Sequence, residues 1–194
     1  MSDRLPIIIL GGSDQRPSTV PQQLASTDML TGFKGATPLP WGRTLAGELI
    51  HRIGLTQRFA RPIVIGPQRV YQGQVDADVV DAEGSLVVTI RTAMRAITQR
   101  FDPAQPVAIM ACDVLPTVEE LQAVLDDDYQ PHRQCMFWWQ LVPATRQQLA
   151  ASHWKPAYPI RPTPDSEPLT LYPGHLVILR PQSLRVGQIG RAHV

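Results

Sequence analysis

Apolar residues fall along this chain in two rhythms. Short unbroken runs at 6–10 (PIIIL), 61–66 (RPIVIG), 106–113 (PVAIMACD), 135–142 (CMFWWQLV) and 174–181 (GHLVILRP) predict buried strands, with a weaker one at 77–82 (ADVVDA). Helical spacing links Leu45, Leu49, Ile50 and Ile53, and Gly54 is expected to stop that helix. A second stripe joins positions 86, 87, 90, 93, 94, 97 and 101. A third helix follows over 117–125, where Thr117 and Glu120 have the spacing of a capping box. TRQQLAA (145–151) predicts a short fourth helix. Ser13–Gly35 lacks sustained periodicity and contains Pro17, Pro21 and Gly32, which predicts a long loop; prolines clustered over 156–168 predict another.

Strands and helices alternate, so the expected architecture is a mostly parallel sheet with helices on both faces, a three-layer α/β/α domain. In such sheets ligands sit beyond the carboxyl ends of the strands. Leu10-Gly11-Gly12 and Asp113 fall there.

Composition narrows the function. The 194 residues suffice for one domain, and 18 Lys plus Arg against 17 Asp plus Glu give no electrostatic reason to expect a nucleic-acid or membrane partner. Two cysteines, Cys112 and Cys135, are too few for a disulfide framework. The N-terminal MSDRLP has no apolar signal region, and no run approaches a membrane span. The expectation is a cytoplasmic protein. The final IGRAHV resembles a translated sequencing adapter, so one domain over 1–188, continuing further in the natural protein, is expected, with 189–194 a non-native tail.

The opening PIIILGGSDQR invites a phosphate-binding reading. The spacing is wrong for a Rossmann dehydrogenase, which needs G-x-G-x-x-G, and the chain lacks the G-x-x-x-x-G-K-[ST] of a P-loop. Adjacent glycines can bring backbone N–H groups close to a phosphate, with Arg16 and Lys34 adding charge; a tight turn beside solvated basic residues is the plainer alternative.

Five segments in order resemble the nucleotidyltransferases related to molybdenum cofactor guanylyltransferase (MobA-like NTP transferases). IIILGGSDQR is similar to that family's strand, glycine-rich loop and basic residue, and FKGATPLPWGRTLAGELIHRI to its lysine, Pro-Leu turn and helix. AEGSLVVTIRTAMRAI resembles the Gly-Ser-Leu loop and helix of one subgroup, VAIMACDVLPTVEEL the strand with a metal-binding aspartate, and LYPGHLVILRPQSL a late glycine-containing strand. The long insertion before Lys34, and Gly174-His175 in place of Gly-Gly-Asn, depart from the pattern.

The resemblance implies a GT-A-like (nucleotide-diphospho-sugar transferase) fold. It further implies transfer of a nucleoside monophosphate from an NTP, GTP or CTP, to a small phosphorylated or hydroxylated acceptor, releasing pyrophosphate. Lys34 and Arg16 would be the catalytic cations, Leu10, Gly11, Gly12, Ser13, Gly84 and Ser85 the nucleotide contacts, and Asp113 the ligand of Mg²⁺, which typically takes one or two carboxylates plus phosphate oxygens. Ser85 serves equally as a helix cap, and Asp113 could cap the helix after it.

Other motifs attract plainer readings. Asp76-Ala77-Asp78 matches the D-x-D of glycosyltransferases but follows the polar YQGQV, so a solvated loop is expected. Cys112 reads as a small buried residue. Phe137-Trp138-Trp139 should alternate between core and sheet surface. Two rival classes remain: a glycosyltransferase using a preformed nucleotide sugar, and a non-catalytic nucleotide-binding module. The base, the acceptor and the oligomeric state leave no signature in the sequence.

Overall fold

The computed structural model describes residues 4–12, 33–143, 158–161 and 163–184. Among them, seven strands form one sheet in the order β3-β2-β1-β4-β7-β5, with β6 added to β7. β1 (Ile7–Leu10), β2 (Ile63–Gly66), β3 (Asp78–Asp81) and β4 (Val107–Ala111) run parallel. β5 (Phe137–Pro143), β6 (Tyr158–Ile160) and β7 (Leu169–Leu179) complete the sheet through antiparallel pairings. The final strand therefore joins the expected sheet with reversed direction, and it begins well before 174. β6 lies within the stretch expected to be an irregular proline-rich loop.

β1 carries apolar residues on both faces because both are covered. Ile7 and Ile9 face a core completed by α1 (Leu45–Thr56) and α4 (Val118–Ala123); Ile8 faces a second core completed by α3 (Leu86–Arg100). α1 begins at Thr44, whose hydroxyl accepts the Gly47 N–H, and runs through Gly54 to end at Gln57 in the left-handed conformation (φ 57°). Gly54 thus lies inside the helix, its missing side chain facing open space. α4 carries the expected capping box between Thr117 and Glu120. α3 departs from its predicted stripe at its start. Thr89, Ala93, Ala96 and Ile97 are buried, whereas Leu86, Val87 and Ile90 are exposed.

β5 and β7 outrun the parallel half. Met110 of β4 pairs with Leu176, while β7 continues back to Leu169 against β5 and β6. Trp138 packs inward with an edge-on contact to Tyr129, and Trp139 faces outward against Tyr158, the alternation expected of the aromatic run. No helix among the described residues is long and apolar enough to cross a membrane. The segment 145–151 lies outside the described residues.

Candidate functional site

Strand order locates the site. After β1 the chain steps outward to β2 and β3, and α3 then returns it to β4 on the opposite side of β1. The direction of winding reverses between β1 and β4, and connections there leave a crevice at the carboxyl edge. Leu10 pairs with Ala111, so Gly12 and Asp113 leave adjacent strands two residues further on, at one level.

Across this crevice Lys34 Nζ lies 3.4 Å from Asp113 Oδ2, both side chains partly open to water. Seventy-nine positions separate the two in sequence, and both were predicted site residues. Lys34 opens a single 3₁₀ turn, Lys34–Ala36, whose Gly35 is buried.

The close approach beneath that turn requires glycine. A Cβ on Gly35 would lie 2.8 Å from the Tyr71 hydroxyl and 2.9 Å from Cys112 Sγ. Tyr71 ends the short helix α2 (Gln68–Tyr71), and its hydroxyl donates to the Gly11 carbonyl at 2.9 Å. Its ring also fills the space where side chains on Gly11 and Gly66 would be. Burial pushes the Tyr71 phenol above its ordinary range, keeping it a donor. Burial, then the neighbouring Asp113 charge, raises the Cys112 thiol to about 11, so at neutral pH it is an inert, protonated filler.

The paired glycines have a packing role. The Gly11 N–H donates to the Ile65 carbonyl at 2.8 Å, which leaves it no hydrogen for a phosphate. A Cβ on Gly12 would lie 2.3 Å from Thr89 Oγ1. Tyr71 and Thr89 occupy the space that these glycines keep open.

Asp113 is positioned from α1. Buried Glu48 accepts from Arg52 Nε at 2.9 Å and Arg43 Nη1 at 3.1 Å, and Arg52 Nη1 also donates to the carbonyls of Leu115 and Pro116 at 3.1 Å each. The Arg52 hydrogen bond, opposed by burial and aided by Arg43, holds the Glu48 carboxyl below its usual range. The network fixes the segment after Asp113 to a helix carrying neither site residue.

On the third side, Gly84 has φ +123°, a backbone conformation suited to glycine, and Ser85 occupies the N-cap of α3 without a side-chain capping bond. Ser13 and Arg16 lie outside the described residues. Asp78 begins β3 at the far edge of the sheet, and Arg61 pairs with both Asp76 and Asp78, so the D-x-D is remote from Asp113.

Sequence reasoning missed Tyr71, Glu48, Arg52 and Thr89. Glu48 and Arg52 had a local signal, an i,i+4 pair on a helix; Tyr71 and Thr89 had none, since their partners are remote in sequence.

Among the described residues there is no cluster of three His, Cys, Asp or Glu able to hold a metal by itself. Asp113 nevertheless fits a magnesium ion that takes its remaining ligands from phosphate and water, since its carboxylate is partly open and its ion pair with Lys34 is exposed. Beside it, a cleft of about 450 Å³ runs between α4 and the β5–β7 pair, bordered by Val114, Glu120, Gln140 and His175. A larger cleft of about 610 Å³ opens at the opposite sheet edge, where the Arg180 guanidinium binds the backbone carbonyls of Ala104, Arg133 and Cys135.

The architecture is the GT-A-like α/β fold, a mixed sheet between helical layers. It is similar to CMP:2-keto-3-deoxy-manno-octonic acid synthetase complexed with CTP (TM-score 0.62, 11% identity, 94% of this chain and 76% of the other). It is also similar to a 4-diphosphocytidyl-2C-methyl-D-erythritol synthase (TM-score 0.53, 11% identity, 92% and 76%) and to that of Anaerococcus prevotii (TM-score 0.54, 8% identity, 98% and 78%). No family model and no curated protein matches the sequence.

Proposed function

We propose that this protein is a magnesium-dependent nucleotidyltransferase that moves a nucleoside monophosphate from an NTP to a small acceptor. The observation carrying this reading is the apposition of Lys34 and Asp113 at 3.4 Å across the β1–β4 crevice. The resemblance of five ordered segments to the MobA-like transferases supports it, as does a fold shared with synthases, one of them bound to CTP.

An exposed ion pair contributes little to stability, so exchanging its partners is easy. With NTP bound, the Lys34 ammonium turns from Asp113 to the phosphates, where a point charge suits oxygen atoms on several sides. Asp113 is then free to hold Mg²⁺, which when bound neutralises triphosphate charge. The acceptor oxygen, ionised already in a phosphate or releasing its proton to solvent in a hydroxyl, attacks the α-phosphorus; a phosphorus–oxygen bond forms, the bond to the β-phosphate oxygen breaks, and pyrophosphate leaves with that electron pair. Lys34 stabilises charge developing on the phosphates. The Gly84-Ser85 turn and the start of α3 flank the base and ribose, and Ser13 and Arg16 belong to the phosphate side by resemblance. The 450 Å³ cleft beside Asp113 suits a small phosphorylated or hydroxylated acceptor.

A calorimetric titration with ATP, CTP, GTP and UTP, and in parallel with UDP- and GDP-sugars, tests the reading with and without Mg²⁺. The expected result is magnesium-dependent binding of GTP or CTP and no comparable binding of nucleotide sugars. Preference for a nucleotide sugar would favour a glycosyltransferase. NTP binding without pyrophosphate release across a panel of sugar phosphates and polyols would favour a non-catalytic module.

A further inference from the structure

Arg69 has no part in the arrangement above, yet it touches both rims of the crevice. It lies on α2, the four-residue helix that also carries Tyr71. Its guanidinium carbon is 5.3 Å from the ring centroid of Phe33, the residue before Lys34. Its Nε donates to Glu83 Oε1 at 2.5 Å, and Glu83 immediately precedes Gly84-Ser85. α2 is itself anchored twice. The Gln68 N–H donates to the Asp81 carboxylate at 2.8 Å, fixing the helix start to the end of β3, while Tyr71 fills the floor under Gly11 and Gly35.

Both Arg69 contacts are exposed, with 66% of the Arg69 side chain and 54% of that of Glu83 in water. Exposed ion pairs and cation–π contacts add little to global stability. A planar guanidinium can do something else: stack on an aromatic face while its edge holds a carboxylate, setting two groups at a fixed separation. From β2, one helix turn thus reaches the lysine segment on one side and the glycine-serine turn on the other.

We propose that Arg69 is a positioning residue that ties the Lys34 segment to the Glu83–Ser85 turn, so that the phosphate and nucleoside sides of the site are set as one unit. Its role in turnover rests on the nucleotidyltransferase reading; the tie itself does not. Arg69 touches no reacting atom and acts through Phe33 and Glu83.

The test uses the whole protein and two readouts. Hydrogen exchange of the ligand-free chain is followed at Ala36 and Thr37, whose N–H groups bond within the lysine turn, and at Val88 and Thr89, which bond to the Ser85 carbonyl. Arg69→Ala is expected to speed exchange at both pairs together by about tenfold through local opening, with the melting temperature and exchange in β1 and β4 unchanged. Glu83→Gln should loosen Val88 and Thr89 alone, since Arg69 remains over Phe33. Arg69→Lys should restore neither pair fully, because an ammonium lacks the planar fork. In turnover, Arg69→Ala should raise KM for the NTP about tenfold, with kcat within about twofold, as expected when NTP binding itself must set the geometry that Arg69 no longer presets.

Parent-like exchange at both pairs in Arg69→Ala would overturn the proposal. Should Arg69→Ala unfold, parent-like exchange in Glu83→Gln would do the same. A parent protein that neither binds nor turns over any NTP would defeat the functional reading, and the exchange data would still decide the tie.

Discussion

Two sets of ion pairs meet around the segment that carries Asp113, alike in chemistry and opposite in use. Lys34 and Asp113 meet at 3.4 Å with 43% and 36% of their side chains exposed. Glu48 sits between Arg52 at 2.9 Å and Arg43 at 3.1 Å with 10% of its side chain exposed. Water competes for the first pair and leaves both partners ready to exchange; it is largely excluded from Glu48, whose removal strands charge. Burial therefore separates a charge available for chemistry from one that holds the scaffold, even though Arg52 ends only two residues past Asp113, on the Leu115 carbonyl.

The contrast breaks first at Glu48. Glu48→Ala should lower the free energy of unfolding by about 3 kcal/mol, the low end for breaking a buried pair because both arginines are partly exposed. A change below about 1 kcal/mol in urea unfolding would place Glu48 with the surface pairs. Its pH signature follows from the depressed carboxyl. Stability from Glu48 is present above its ordinary value of 4.5 and disappears as pH falls through the lower folded value. Glu48→Gln should flatten that acid limb of the stability curve.

Lys34→Ala tests the other side. We expect kcat/KM to fall by ~10²-fold or more, the scale of losing one preorganised contact to developing charge, or about 2.7 kcal/mol. Melting should barely move. Turnover equal to the parent would remove Lys34 from the site, and Lys34→Arg should rescue only in part.

A smaller effect belongs to the floor beneath Gly11 and Gly35. Tyr71→Phe leaves the Gly11 carbonyl without its donor and should cost about 1–2 kcal/mol in thermal or urea unfolding. The smallest expected effect sharpens the comparison most. A double-mutant cycle of Lys34→Gln and Asp113→Asn, without nucleotide, should give a coupling below about 1 kcal/mol that declines with added salt. A salt-insensitive coupling of about 3 kcal/mol would make this pair structural after all.

What the sequence disclosed was what local chemistry determines. Unbroken apolar runs marked the strands because both sheet faces are covered, and Thr117 with Glu120 marked the start of α4 because a capping box needs only four consecutive residues. Direction was hidden, since an apolar run at 174–181 reads the same whether its neighbour is parallel or antiparallel. Gly54 lies inside α1 because the buried residues around it, Ile53 and Thr56, carry the helix past a poor helix former, and the apolar start of α3 is exposed, which periodicity does not reveal. At the site, Lys34 and Asp113 were legible as residue types placed at a family's positions. The reason for Gly11 and Gly12 was not, because Tyr71 and Thr89, which fill the space beside them, lie 60 and 77 residues further on.

Of the two thiols, Cys135 is exposed and Cys112 is sealed beneath Gly35. At neutral pH a maleimide should mark Cys135 quickly, while Cys112, with its thiol held at about 11, waits for the lysine turn to lift away. Once Cys135 is replaced by serine, the rate of Cys112 labelling becomes an intrinsic clock for the breathing of the crevice floor. A nucleotide that pins the turn in place should slow that clock, so occupancy could be read from a mass shift alone, before any product is identified.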